Sequence, residues 1–535
     1  MKDPIILVEI VGYDKANAVA VTLRVCDGLA YRLRSTETPA NALYRPLLVD
    51  TGWSRVDIFT APGQYAHVTP GEIVVDDSAG TLGATLIGYA FDGRSIIIRI
   101  GERGAAYPAG YTTVLNGTLD GQPAFDWGKI IFRPVDLAAA LARPLQADRY
   151  AGSNALPNGL EGVDDLKGRV KAIVLALASN MTPNCVNTTK QIYHVSIPIG
   201  TAAVGVSAAR DKGVPLTADA AYANIADLQD DTKAPAAGHY KVLSNTGDGC
   251  YFRLGSPPAG ALTCDAAYGV AGDRTHAQVW KRILLYMGVS AGSISAGDVT
   301  ALDTALSGEI ECAYFDECDA ASALGEIAAS AGAGWYGDAT GVYRIVQWSA
   351  PSGSPVATLT ALRTMEMGIS DPVGTGDVAP AYLVTLQYGK NWTVQKDANL
   401  GGDKTSPTDA VRGPGGRAGV VARAWLSEEV RTVKSTDASV KTAHLNAIEL
   451  KMTSMLASSA AAQTFGDAQL TLYKTARHMT TLTQMLSPAQ IDAVRVNAVV
   501  TATEARWGYT AGRLMRVAGV MPDMATGKTQ LSLWG

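Results

Sequence analysis

Short runs that alternate apolar and polar side chains, each cut off by Gly, Pro or Asn, dominate the first part of the chain and point to strands. Side chains along a strand alternate between its two faces, so such a run buries one face only as part of a sheet. Residues 18–25 are rich in β-branched side chains and stop at Asp27-Gly28; residues 95–100 form a second run. Residues 112–115 lead into Asn116-Gly117, a tight-turn signal, and residues 129–133 follow, closed by Pro134. Residues 1–145 are therefore expected to form one antiparallel barrel or sandwich. Residues 135–141 predict a short helix ending before Pro144.

Beyond this the punctuation changes. Residues 146–170 are polar and rich in Gly and Asn, which predicts a loop or linker. Short strands resume over 171–270, where 251–254 and 261–264 read as a hairpin with a longer loop. From 273 the period becomes helical. Val279, Ile283, Leu284 and Met287 share one face; Ser295 caps a helix carrying Val299, Leu302 and Leu306; Asp319 caps another carrying Leu324, Ile327 and Ala328, which stops at Gly332 and Gly334. A hairpin through Trp335-Tyr336 and 342–346 completes a small α+β unit. Residues 382–386 form a strand, and 401–420, with Gly413-Pro414-Gly415-Gly416, predict an exposed, mobile loop. An Ala-rich helical stretch runs from 440 towards Tyr473, strands follow at 479–483 and 493–502, and the chain closes in a hairpin of 514–520 and 529–534 that turns near Pro522-Asp523. The expected fold class is mainly β with an α+β insert. Its divisions are 1–145, an N-terminal β-barrel; 146–272, a second β domain; 273–350, a small α+β domain; and 351–535, a C-terminal β domain with a helix and the loop at 401–420.

Composition removes several function classes. At 535 residues the chain is long enough for roughly three to five domains. Apolar residues make up 47% and charged residues 18%, a charge density low enough to suggest a surface covered by neighbours. The net charge is −5 with no Lys/Arg run, so no basic face for nucleic acid is expected, and a mildly acidic surface lets DNA pass without sticking. Only residues 5–8 are apolar before Glu9, too few for a signal peptide, and no run of 18 apolar residues is present. The expectation is folding in a cytoplasm.

The candidate chemical motifs fall short of their patterns. Cys26, Cys185, Cys250, Cys264, Cys312 and Cys318 include no C-x-x-C pair; buried free thiols are expected, although Cys250 and Cys264 flank the predicted hairpin and could face each other. Gly288-Val289-Ser290-Ala291-Gly292 fits G-x-S-x-G but follows a helix, where a nucleophile elbow needs a strand. The Gly-rich 413–419 fails the dinucleotide and phosphate-loop spacings. Asp316, Glu317 and Asp319, and Asp227, Asp230 and Asp231, are acidic clusters; paired carboxylates can serve a glycosidase, but solvated faces look the same and are expected here. His67, His194, His239, His276, His444 and His478 are scattered. No catalytic, cofactor-binding or metal-binding residue is assigned, and no cofactor is expected. The excess of Tyr (21) over Phe (7), with nine Trp, suits subunit contacts and sugar-binding surfaces alike.

Three stretches resemble the tail-tip and baseplate central hub proteins of long-tailed bacteriophages. The first is 135–137 through Arg143-Pro144-Leu145-Gln146, Tyr150-Ala151-Gly152 and 165–171. The second is 248–254 with Pro258-Ala259-Gly260 and Thr263-Cys264-Asp265, continued by the helices and 332–338. The third is 509–517 with 531–535. The resemblance implies β-barrels or sandwiches of tail-tube type, and a homotrimeric structural virion protein at the tail tip, assembled in the bacterial host cytoplasm. Such a hub closes the tail tube, anchors tip or fibre proteins and serves as a passive conduit for DNA ejection. Its partners would be distal tail and tube proteins, other tip and fibre proteins and the tape measure, with no specific nucleic-acid binding. Two tube-like barrels per chain, here 1–145 and the C-terminal β domain, would present six units to a sixfold tube. The family brings no catalytic residues, so no enzyme activity is expected. Some tail-tip proteins of this kind carry an iron–sulfur cluster, which the cysteine spacing here does not call for. Cys250 and Cys264 depart from the usual pattern of the second stretch. The alternative readings are a tip protein binding a host-surface glycan or pilus through Tyr/Trp loops, and a cell-wall hydrolase.

Overall fold

The computed structural model describes residues 3–52, 55–57, 68–69, 71–135, 137–154, 158–338, 340–370, 380–406, 408–522 and 528–535. Among the described residues strand outnumbers helix, 39% against 19%, so the chain is mainly β with a helical insert, as its sequence implies.

Two antiparallel sheets form the N-terminal unit. One runs in the order Pro134–Val135, Tyr111–Leu119, Ser95–Glu102, Pro4–Asp14, Val19–Cys26; the other runs Ala124–Asp126, Lys129–Phe132, Ile73–Asp76, Leu48–Asp50. Ile6, Val8, Ile10, Ile96, Ile98, Ile73, Ile130 and Phe132 fill the space between them. Pro4–Asp14 is buried on both faces, because a second cluster of Ile5, Leu7, Cys26, Tyr44, Tyr107 and Tyr111 covers its other side.

Asn116-Gly117 is not a turn. Both lie inside strand Tyr111–Leu119, opposite Ile97 and Ile96. A Cβ on Gly117 would sit 2.5 Å from the Val135 carbonyl oxygen, so this glycine serves close backbone approach and not chain reversal. The helix expected over 135–141 shrinks to a single turn of 3-10 helix, Ala139–Leu141; Val135 is spent in the sheet opposite Thr118, and Asp136 lies outside the described residues.

Two further sheets follow. Gly249–Leu254 lies between Ile192–Ser196 and His239–Asn245, and Leu262–Tyr268 lies between Leu177–Met181 and Val204–Asp211. The expected hairpin is therefore absent. Each strand already has two partners, and 255–261 carries the chain from one sheet to the other. Gly255 makes the crossing possible, since a Cβ there would meet the Ala236 carbonyl oxygen at 1.9 Å. The described residues of 146–170 hold no strand or helix, yet the stretch is pinned: Tyr150 and Leu166 are buried against Val186, Ile192, Leu243 and Tyr251.

The helices lie where the period places them. Thr275, Ser295 and Asp319 cap His276–Tyr286, Ala296–Ala305 and Ala320–Ser330 through side-chain acceptors. The hairpin Ala333–Gly337 with Tyr343–Gln347 follows. Trp280, Leu284 and Ile327 share one core with Val195, Phe252 and Cys264, so buried contact runs straight across position 272.

The C-terminal sheet runs Ala357–Thr360, Val499–Thr503, Arg513–Pro522, Lys528–Trp534, Met479–Met485, Thr364–Ser370. It is joined by Arg55–Asp57 from the N-terminal region, with Val56 opposite Val520. The closing hairpin forms, while residues 523–527 at its turn lie outside the described ones. The long helix expected from 440 is broken into a short helix, Val440–Ala443, and a longer one, Ser459–Tyr473, with a strand between them. Ile448, Leu450 and Met452 alternate with Glu449 and Lys451, a period of two that makes Ile448–Thr453 a strand. The strand expected at 493–502 begins only at Val499, because Ser487 and Gln490 form a capping box that starts helix Pro488–Ala493.

The Gly/Pro-rich stretch 401–420 is not a bare loop. Val411 is buried with Leu400, Ala422 and Leu426. Buried Asp409 accepts from the Arg423 Nε at 2.6 Å, and Gly401 N–H donates to the Lys212 carbonyl at 2.7 Å. Pro407 lies outside the described residues.

Candidate functional site

The motifs singled out in the sequence are used locally. Asp319 caps a helix and Glu317 pairs with Arg149 at 2.5 Å. Asp230 accepts from the Thr232 N–H, Asp231 binds both Arg253 (2.7 Å) and Lys190 (3.1 Å), and Asp227 pairs with Lys233. Ser290 bonds to Ser293 at 2.8 Å in the helix–helix connection. His194 and His276 are buried, and burial lowers each to about 3. His239 meets Asp219 at 2.8 Å, and His67 lies outside the described residues. Cys26, Cys250, Cys264 and Cys312 are buried free thiols; Cys185 and Cys318 are half-buried and also free. Burial raises Cys250 and Cys312 to about 12. Among the described residues no group of three or more His, Cys, Asp or Glu is placed to hold a metal ion.

The structure assembles one site that no motif announced. Glu311, only 4% exposed, sits on an extended segment whose N–H groups bond outwards on both sides: Glu311 to the Met455 carbonyl at 2.7 Å, Cys312 to the Leu177 carbonyl at 2.9 Å. Its carboxylate accepts from the Ser179 hydroxyl at 2.5 Å, the Ser179 N–H at 2.9 Å and the Trp392 Nε1–H at 3.2 Å. Burial above all, with the nearby Asp265 charge, outweighs the pull of the three donors and leaves it raised to about 7. A carboxyl poised near neutrality beside a cleft marks a functional candidate. The cleft, about 420 Å³, is lined by Trp392, Phe315, Tyr314, Tyr388, Lys390 and Glu326. The Phe315 and Trp392 rings meet edge-on at 5.2 Å, and the Lys390 ammonium lies 4.0 Å from the Trp392 ring centre. Both Glu311 oxygens are engaged by protein donors, so the group ties three distant chain segments together. Beside it the Asn180 side chain donates to Asn391 Oδ1 at 3.0 Å and the Thr393 carbonyl at 2.7 Å, while its N–H donates to Asp265, which Arg210 grips in a fork.

The surface offers a second kind of site. Thr364–Ser370 is the last strand of its sheet, with Met365 56% and Ile369 36% exposed. At the tip of the hairpin Ala124–Asp126 with Lys129–Phe132, Trp127 is 98% exposed.

No protein-family model and no curated protein sequence matches the chain. Among solved structures it is similar to the 43 kDa tail protein of prophage MuSo2 from Shewanella oneidensis, with a TM-score of 0.39 and 11% identity over 92% of this chain and 96% of that one. It is similar also to the tail protein from Neisseria meningitidis MC58, with a TM-score of 0.36 and 11% identity over 100% of this chain and 97% of that one. A third similar chain comes from the virion of a native gene transfer agent particle, with a TM-score of 0.33 and 13% identity over 69% of this chain and 84% of that one.

Proposed function

We propose that this chain is a structural protein of a long bacteriophage tail, the central hub of the tail tip. It works as a homotrimer that closes the tube, anchors tip or fibre proteins and the tape measure, and lets DNA pass. In this reading it catalyses nothing. The N-terminal unit and the C-terminal sheet are the pair that presents six units to the tube.

The observation that carries the reading is the edge strand Thr364–Ser370, on which exposed Met365 and Ile369 outnumber the one charge, Glu366. Free strand edges template pairing with other chains, and proteins that work alone blunt them with charge, Pro or a cover. Here Met365 and Ile369 stand exposed on the edge, with Met485 exposed on the neighbouring strand, as a subunit contact requires. The three stretches that resemble hub proteins also fall on joints of the fold. Pro144 bridges to Asp319 and the Leu145 N–H donates to the Cys318 carbonyl; Gly249–Leu254 is a central strand; and Lys528–Trp534 is an inner strand of the last sheet.

The test is the mass of the purified chain in solution, with imaging of labelled chain on tails and zymography on peptidoglycan. A trimer found at the tail end and no cleared zone is expected; a monomer that never joins tails ends the proposal. A second reading, host-surface binding, is favoured by the exposed Trp127, since indole rings stack on sugars. Glycan binding lost in Trp127→Ala would support it.

A further inference from the structure

Strand Val19–Cys26 is the outermost strand of the first sheet. Its C-terminal end is covered: the Arg45 N–H donates to the Arg24 carbonyl at 3.0 Å, and the Cys26 N–H donates to the Arg45 carbonyl at 2.7 Å. These two bonds fix the direction of the rest. The N–H and C=O of one strand residue point to the same side, and sides alternate along the strand. Ala20 and Thr22 therefore direct their backbone groups outwards, as Arg24 and Cys26 do. Among the described residues nothing pairs with the outward groups of Ala20 and Thr22.

Beside this open edge lies a groove of about 540 Å³, walled on its other side by helix Thr81–Leu86. Polar side chains such as Thr22, Thr81 and Thr85 share its lining with apolar ones. Leu86 and Phe91 belong to the core between the two sheets, and Leu23 and Leu82 pack on that core. The groove is thus a seam where the sandwich core opens sideways. Arg45, exposed, stands at its rim, and its guanidinium has no hydrogen bond or ion pair among the described residues. Arg24, by contrast, is committed to Glu9 at 3.1 Å.

These features ask for one kind of occupant. The edge needs backbone donors and acceptors in strand register, the seam needs apolar side chains at every second position, and Arg45 needs an anion. A helix or a compact loop would satisfy only the apolar seam. We propose that the groove between Val19–Cys26 and Thr81–Leu86 docks an extended peptide segment of another protein, which adds a strand to the sheet and sets a carboxylate against Arg45. The site lies in the N-terminal unit, apart from the C-terminal edge, and does not rest on the hub reading.

The probe is a fluorescein-labelled peptide alternating valine and serine with one aspartate, followed by anisotropy against the full chain. Saturable binding is expected. Thr22→Pro removes one outward N–H and leaves the ladder to Pro4–Asp14 intact, a position where an edge strand tolerates proline; it should weaken binding about tenfold. Arg45→Glu should weaken it about tenfold as well, and a peptide with lysine in place of aspartate should recover binding to that variant. Melting curves establish that both variants fold, and Arg45→Glu decides the matter if Thr22→Pro does not. No saturable binding, or binding unchanged in Arg45→Glu, overturns the proposal. So does self-association of the chain without peptide that Thr22→Pro abolishes, which would make the occupant a second copy.

Discussion

Trp392 donates its indole N–H to Glu311, 81 positions earlier in the chain, and that carboxylate also binds Ser179, 132 positions earlier still. The shared acceptor is a buried acid held at about 7, against an ordinary value of 4.5. A raised acid makes the folded state bind a proton that the unfolded state has lost, so its contribution to stability is full below pH 4.5 and disappears as pH rises through about 7. The effect is roughly 3 kcal/mol. Glu311→Gln should remove it. The readout is the difference in unfolding free energy between the two proteins over that window, taken from denaturant titrations. A difference that stays constant with pH would show that Glu311 does not titrate there.

The buried histidines act with the opposite sign. His194, bonded to the Tyr150 hydroxyl at 2.5 Å, and His276 are both depressed from 6.5 to about 3 by burial. Each contributes stability that is present above pH 6.5 and lost as pH falls towards 3, by up to roughly 5 kcal/mol apiece. Acid unfolding should therefore begin well above the carboxylate range. Ring NMR signals of His194 and His276 should stay in the neutral form until the chain unfolds, and titration of either near 6.5 in the folded protein would contradict this.

Trp280 is fully buried in a core that also holds Val195, Phe252 and Ile327. Trp280→Ala should cost about 3–5 kcal/mol. Because this core crosses position 272, the loss should appear in one transition that covers both the strands before it and the helices after it. Hydrogen exchange resolved by peptide measures this; strands 192–196 and 249–254 that remain protected while the helices open would argue for separate units.

Asp409 and Arg423 clamp the Gly-rich stretch onto helix Gly419–Ser427, and the Arg423 Nη2 also donates to the Gly401 carbonyl at 2.6 Å. Arg423→Ala leaves the Asp409 carboxylate without its partner and frees the stretch at both ends. Limited proteolysis should then cut within 401–418, where the wild-type chain resists. Equal cutting of both would show that the clamp does not order the stretch.

Met365→Lys places a charge on the exposed C-terminal edge strand. Surface changes of this kind alter folding stability by about 0.5 kcal/mol or less, while a charge on an open edge opposes strand pairing between chains. The variant should keep its melting temperature and lose self-association in sedimentation velocity. Unchanged assembly would place the subunit contact elsewhere.

Local preference was legible in the sequence and partnership was not. Strands 95–102 and 528–534 and helices 276–286, 296–305 and 320–330 follow from period and caps, because side-chain spacing and first-turn hydrogen bonds are set by neighbours along the chain. Asn116-Gly117 mimics a turn, and 251–264 mimics a hairpin, because turn chemistry and close backbone packing both ask for glycine. Which of the two applies depends on what lies opposite, and only the tertiary structure supplies the Val135 and Ala236 carbonyls. The Glu311 site shows the same limit. Glu311, Ser179 and Trp392 are unremarkable where they stand in the chain, and their meeting sets the acidity of the carboxyl, since desolvation and hydrogen bonding are properties of the folded surroundings and not of the residue.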